Sequence, residues 1–258
     1  MSTIGKLEKF RQNSTFKCLI QPKMEEVFRK DYPLKGKWGR EVFGNSNPIT
    51  LELGCGKGEY TIALASLYPD RNFIGIDIKG ARLWKGAKEA ETKGMKNVRF
   101  IRTNIDFIEW IFGKDEISSI WVTFADPQLK SPRKRLTGVM FLERYRKFLV
   151  DGGEINLKTD SRFLHEYTSA LVKANDLETI CRSTDIYHQE NPLFPQELKT
   201  IQTFYEQHFL KMGLPITYLR FKLEGPSSPR TKPLLEPEWD DKKWLLAESE
   251  GRIPGKIR

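Results

Sequence analysis

Ten residues, Leu51-Glu52-Leu53-Gly54-Cys55-Gly56-Lys57-Gly58-Glu59-Tyr60, carry an apolar run into an acid and then into three alternate glycines. Residues 48–53 read as a short strand, and the apolar positions of residues 60–67 fall on a helical period, so the glycines occupy a tight strand-to-helix turn. Glycine there lets a ligand approach the main chain closely. Turns of this kind lie at the carboxyl ends of strands in open α/β sheets, where ligands bind at a topological switch point. The chain is thereby directed to an α/β architecture with a nucleotide-like ligand at that turn.

Spacing and one acid indicate the ligand's charge. A nicotinamide fingerprint needs G-x-G-x-x-G, with amides and a helix N-terminus free to hold a pyrophosphate. Gly54, Gly56 and Gly58 give G-x-G-x-G instead. Glu52, two residues before Gly54, would repel a diphosphate and attract a cation. That favours S-adenosylmethionine, which carries an ammonium and a sulfonium. The competing reading is a tight turn whose Glu52 is an ordinary strand-end charge. A second strand, residues 72–76, ends in Asp77, about 20 residues past the glycines, where such folds hold a ribose hydroxyl.

Strands and helices then alternate. Residues 79–93 read as an amphipathic helix, 98–102 as a strand, 107–112 as a short helix and 119–124 as a buried strand. A helix over 136–150 is stopped by Asp151-Gly152-Gly153, and a strand over 154–158 and a helix over 161–173 follow. Residues 177–184 and 216–223 read as closing strands around a helix near 199–212. Seven strands and about six helices predict a Rossmann-like, seven-stranded, mostly parallel sheet flanked by helices. Residues 48–224 form this domain, 1–47 a basic N-terminal extension, and 225–258 an arm of irregular structure rich in Pro, Trp and charge.

Composition narrows the function classes. Lys plus Arg total 43 against 34 Asp plus Glu, a formal net charge of +9 that suits a polyanionic partner. Basic residues crowd the first forty positions, and a second group, Lys130, Arg133, Lys134 and Arg135, falls in a loop beside the expected active site. Cys18, Cys55 and Cys181 have neither metal-ligand nor disulfide-framework spacing, so reduced thiols and a cytoplasmic location are expected. His165, His188 and His208 are widely separated and read as surface or loop residues; no metal is expected. The first fifteen residues lack an apolar signal core and no run approaches membrane-spanning length. A monomer or a homodimer is compatible with this reading.

The ordered series LELGCGKGEY, IGID, RTNID, FADPQLK, LKTD and TFYE, from about residue 21 to 223, resembles the TrmB-type tRNA (guanine-N7-)-methyltransferase family. The resemblance implies a class I S-adenosylmethionine-dependent methyltransferase fold. It implies tRNA as partner and N7 of a variable-loop guanosine, position 46, as acceptor. The cofactor set implied is Glu52, Gly54, Gly56, Gly58, Asp77, Asn104, Ile105 and Asp126. Asp126 is also the implied catalytic acid, and Lys130, Asp160, Thr203, Phe204, Tyr205 and Glu206 the substrate-side residues. Arg133, Lys134 and Arg135 are candidate RNA phosphate contacts. The chain departs from the family where an aromatic usually follows the Asp-Pro pair: Gln128 stands there, and the basic loop is shorter by about two residues.

Each acid also has a plainer reading. Asp126 before Pro127 can shape a turn, Asp160 can cap a helix, and Thr203 with Glu206 fits a capping box. Guanine N7 is an unprotonated lone-pair acceptor, so its methylation needs no general base. Positioning and a carboxylate that stabilises positive charge arriving on the purine are sufficient. The rivals are an RNA-binding module of this fold that has lost turnover and a methyltransferase for another RNA or a small molecule. An amino-group methyltransferase, with Asp/Asn-Pro-Pro-aromatic, is disfavoured by Asp126-Pro127-Gln128-Leu129.

Overall fold

A strand buried on both faces belongs inside a parallel sheet, and all five residues of Ile49–Leu53 are buried. The structure, a computed structural model, describes residues 4–228 and 232–249. In chain order these form α1 (Lys6–Asn13), β1 (Leu19–Ile20), α2 (Met24–Val27), β2 (Ile49–Leu53), α3 (Glu59–Leu67), β3 (Asn72–Asp77) and α4 (Gly80–Thr92). There follow β4 (Val98–Arg102), α5 (Ile108–Ile111), β5 (Ile117–Thr123), α6 (Val139–Tyr145), β6 (Leu149–Thr159), α7 (Arg162–Ala174) and β7 (Thr179–Ser183). The series closes with α8 (Glu197–Thr200), α9 (Phe204–Lys211), β8 (Thr217–Leu223) and α10 (Asp241–Ser249).

The sheet order is β1-β4-β3-β2-β5-β6-β8-β7. Pairing is parallel from β1 to β6 and antiparallel across β6, β8 and β7. The chain runs outward from β2 through β3 to β4 and then returns to β5 on the other side of β2, so the topological switch lies between β2 and β5. One core cluster joins Leu51, Leu53, Ile74, Ile76 and Val122 to α5, α6 and α7. A second joins Phe73, Phe100, Trp121 and Tyr218 to α3 and α4. Alternation along β2 thus sends Leu51 and Leu53 to the first face and Thr50 and Glu52 to the face beneath α3.

The seven expected strands are all present, with an eighth at the edge. Leu19 and Ile20 pair with Phe100 and Ile101, and Cys18 accepts from the Phe100 amide at 2.7 Å. Two residues carry no readable period. The basic segment before residue 48 also supplies Trp38, fully buried and donating from Nε1 to the Ile111 carbonyl at 3.0 Å.

Three boundaries differ from expectation for local reasons. The helix expected over 136–150 ends at Tyr145, and β6 already begins at Leu149. Leu149 faces Ile117 while Glu154 faces Ser119, so the Asp-Gly-Gly stretch is a bulge inside a strand, with Gly152 at φ +67. The helix expected near 199–212 is two helices, because residues 201–203 leave helical geometry before Thr203 caps α9. The C-terminal arm contains α10 as well as irregular chain. The parts of that arm at 229–231 and 250–258, and residues 1–3 of the N-terminal extension, lie outside the described residues.

Candidate active site

Strand register places the expected residues in a row along one edge. Leu53 pairs with Ile76 and Val122, Asp77 with Arg102, and Thr123 with Lys158. The loops following these positions carry, in spatial order, Asn104, Asp77, the glycine turn, Asp126 and Asp160. The switch point falls in the middle of that row.

The three glycines do different work. All have positive φ, +73 at Gly54, +56 at Gly56 and +72 at Gly58, which favours glycine at each. A Cβ on Gly54 or Gly56 would meet nothing within 4 Å, so their backbone faces open space. A Cβ on Gly58 would lie 2.5 Å from the Phe100 ring, so Gly58 also lets the turn pack closely onto β4. Asp77 ties the turn to the next loop, its Oδ2 accepting from the Gly56 amide at 2.9 Å and its Oδ1 from the Lys79 amide at 2.7 Å. Asn104 is exposed and its Oδ1 accepts from the Asp106 amide at 3.1 Å, while Ile105 is half-buried against the core.

Glu52 differs from a free charge at the strand mouth. It is buried beneath the turn, where Thr61 donates from its amide at 2.8 Å and also from its hydroxyl, and the Thr123 hydroxyl donates to the other oxygen at 2.6 Å. One carboxyl group therefore joins the start of α3 to the end of β5. Burial pushes its pKa up to about 7, and nearby Asp77 adds to the rise. Between the ordinary value of 4.5 and about 7 the unfolded chain ionises first, so this group withdraws stability as pH rises through that window. Glu52→Gln is expected to flatten the corresponding fall in Tm. An unchanged slope would assign the titration to another group.

These residues fit a cationic nucleoside such as S-adenosylmethionine. Open glycine backbone lies beside two carboxyl groups, and among the described residues neither Glu52 nor Asp77 is paired with a Lys or Arg.

Asp126 follows β5 by three residues. Its Oδ1 accepts from the Gln128 amide at 3.1 Å, forming a local turn. Phe124 at φ +49 and Gln128 at φ +54 flank it in the left-handed region, which costs non-glycine residues energy and is concentrated at functional sites. The Phe124 amide donates to the Lys158 carbonyl at 2.9 Å, so Asp126 and Asp160 each lie two residues past a paired position. Asp160 does not cap α7, because Ser161 does so, accepting from the Leu164 amide at 3.2 Å. Burial raises the Asp160 pKa.

The Thr203–Glu206 element docks on the glycine turn. Glu59 accepts from the Phe204 amide at 3.0 Å, and Lys57 lies 4.5 Å from the centre of the Phe204 ring. Phe204 and Tyr205 remain exposed there. Thr203 accepts from the Glu206 amide at 3.2 Å, which is half of a capping box. The other half is absent, because the Glu206 carboxylate points inward. Fully buried, its Oε1 takes the Lys158 ammonium at 2.7 Å and the Tyr187 hydroxyl at 2.8 Å, while Oε2 has no hydrogen-bond partner among the described residues. Lys158 also donates to the carbonyls of Leu198 at 2.7 Å and Ile201 at 3.0 Å. Sequence reasoning missed Lys158, which reads only as a strand residue among Glu154, Asn156 and Thr159.

The basic group divides. Lys130, Arg133 and Lys134 are exposed. Arg135 is 2% exposed and its guanidinium pairs with Asp241 at 2.6 Å, so its assignment as a phosphate contact is corrected. His165, expected at the surface, is fully buried on α7, where burial lowers its pKa to about 4 and Arg182 donates to it at 3.2 Å. Among the described residues no cluster of three or more His, Cys, Asp or Glu could hold a metal, and no helix is long and apolar enough to cross a membrane.

The family model Methyltransf_4, described as "Putative methyltransferase", matches residues 46–219. A tRNA (guanine-N(7)-)-methyltransferase of Christiangramia forsetii is 50% identical over 226 residues, spanning 87% of this chain and all of that relative. The protein of the same name from Bacteroides thetaiotaomicron is 46% identical over 91% of this chain and 90% of its own length. Among solved structures, the 16S rRNA methyltransferase KamB superposes with a TM-score of 0.54 at 13% identity, covering 72% of this chain and 92% of its own, a likeness of fold. With that family model over residues 46–219 and half of its residues shared with a relative over that relative's whole length, the chain belongs to the TrmB-type tRNA (guanine-N7)-methyltransferase family.

Proposed function

We propose that the protein transfers a methyl group from S-adenosylmethionine to N7 of a guanosine in the tRNA variable loop, position 46. The observation that carries this reading is the relative that is 50% identical over its entire length and is named for this reaction. The row of Asp77, the glycine turn, Asp126 and Asp160 supports it chemically. When bound, S-adenosylmethionine supplies a methyl group on a positively charged sulfur. Gly54 and Gly56 leave room for it, and Asp77 retains lone pairs for ribose hydroxyls.

The protein's own contribution is placement and charge. N7 carries a lone pair and no proton, so no side chain has to remove one. Asp126, held by the Gln128 amide between two strained positions, presents negative charge where the purine becomes positive. Asp160 lies in the adjacent loop and adds to that field. Phe204 and Tyr205, exposed beside the glycine turn, offer aromatic surface to a nucleobase. The exposed Lys130, Arg133 and Lys134 engage phosphates, which orients the nucleic acid without reading its sequence. A tRNA substrate accords with a cytoplasmic location.

Neutralising Lys130, Arg133 and Lys134 together is expected to weaken tRNA binding. It should also lower the slope of log affinity against log salt by about 0.7–0.9 for each phosphate no longer neutralised. S-adenosylmethionine affinity should remain unchanged; an unaltered salt slope would make these residues ordinary solvated charges. The function itself is tested by incubating the protein with unmodified tRNA and labelled donor beside protein and small-metabolite controls. Label in tRNA alone is expected. Tight tRNA binding without transfer would favour the RNA-binding module that has lost turnover.

A further inference from the structure

The basic loop after Asp126 ends on a residue that behaves unlike its neighbours. Lys130, Arg133 and Lys134 are exposed, but Arg135 turns inward with its side chain 1% exposed. Its guanidinium lies 4.7 Å from the ring centre of Phe163 and 4.5 Å from that of Tyr167, both on α7. Asp241, the first residue of α10, accepts from it at 2.6 Å. The indole Nε1 of Trp239 donates to that same Asp241 oxygen at 3.1 Å. Around this pair Trp239 packs edge-on against Phe163 and Tyr167, and Trp244 edge-on against Phe163. Tyr167 donates to Glu236 at 2.9 Å.

One arginine thus joins three parts of the chain: the loop that follows Asp126, the helix that follows Asp160, and the C-terminal arm. A buried guanidinium needs its counter-charge, and removing only that partner leaves an uncompensated charge. Asp241 is therefore what keeps Arg135 inside, and Arg135 is what fixes the far end of the loop carrying the three exposed cations. That loop carries strained geometry at Phe124 and Gln128.

We propose that the C-terminal arm is a positioning element for tRNA, in which Asp241, through Arg135, holds Lys130, Arg133 and Lys134 in register with Asp126. Asp241 touches no substrate and acts only through Arg135. The inference rests on the proposed tRNA methylation, and it predicts a particular division of effects. Loosening the loop disperses the cations and weakens tRNA capture, whereas the glycine turn and Asp77, on the opposite side of the switch point, are untouched.

The test compares the wild-type chain with Asp241→Ala, Asp241→Asn and Asp241→Glu, measuring Tm, S-adenosylmethionine affinity, and kcat and KM for tRNA at several salt concentrations. Asp241→Ala is expected to raise KM for tRNA about tenfold, a loss of roughly 1.4 kcal/mol, and to flatten its salt dependence, with cofactor affinity unchanged. Asp241→Glu, which keeps the charge, should recover most of the loss. Asp241→Asn, which keeps an acceptor for Arg135 and Trp239, should fall between and supplies the measurement if the alanine variant does not fold. A lowered Tm with wild-type KM and salt slope would overturn the proposal and leave the arm a purely structural brace. Equal losses in tRNA KM and cofactor affinity would overturn it as well. Wild-type protein that fails to methylate tRNA would defeat the functional reading itself, a result separable from wild-type behaviour of the Asp241 variants.

Discussion

Asp126→Ala is expected to slow methyl transfer by about two to three orders of magnitude, the range found when one preorganised electrostatic group is removed from an active site. The reason is specific to where charge appears. Positive charge leaves sulfur and arrives on the purine, and the Asp126 loop is the first beyond the switch point from the glycine turn. The side chain removed makes a local bond to the Gln128 amide at 3.1 Å and does not belong to the hydrophobic core. Tm should therefore stay close to wild type while single-turnover rates at saturating S-adenosylmethionine collapse. A wild-type rate would remove the mechanism.

Glu206→Gln separates an end-of-helix role from a buried one. If Thr203 and Glu206 formed only a capping box, glutamine would serve equally and the change would be silent. In the structure the Glu206 carboxylate faces Lys158 with both side chains fully buried. Burial pulls the Lys158 pKa down and Glu206, with a smaller part from Glu197, opposes that shift, so neutralising Glu206 leaves a buried ammonium with carbonyl partners and without its paired carboxylate. Breaking one side of such a pair costs about 3–5 kcal/mol. For a chain of this size that lowers Tm by on the order of 10 °C. Lys158→Met should cost a similar amount, and Lys158→Met combined with Glu206→Leu should recover much of the loss. Melting curves that match wild type for both single variants would contradict the buried pair.

The parts of this protein legible in its sequence are those fixed by local pattern. An apolar run ending in Gly54, Gly56 and Gly58 announces a strand, a turn and a helix because the period changes at the glycines. Parallel order along the sheet then brings Asp77, Asp126 and Asp160 to one edge without further information. Long-range pairing is what sequence hides. Leu19–Ile20 is too short to show a period, yet it completes the sheet edge against β4. Arg135 reads as one more cation in a basic loop, and only its partner 106 positions later explains its burial. Glu52 reads as a counter-charge for a cationic ligand, but Thr61 and Thr123, unremarkable in sequence, draw it underneath the turn. Gly58 shares a motif with Gly54 and Gly56, yet the neighbouring Phe100 ring gives it a packing role.

The acceptor proposed for this enzyme is one particular guanosine of tRNA. Its most direct test is to label unmodified tRNA with the protein and a methyl-labelled donor, digest the product, and map the modified nucleotide by mass. A single N7-methylguanosine in the variable loop at position 46 is predicted, with no label when that base is changed to adenosine. Undiminished labelling of the adenosine variant, or a methyl group on an exocyclic amine, would contradict it.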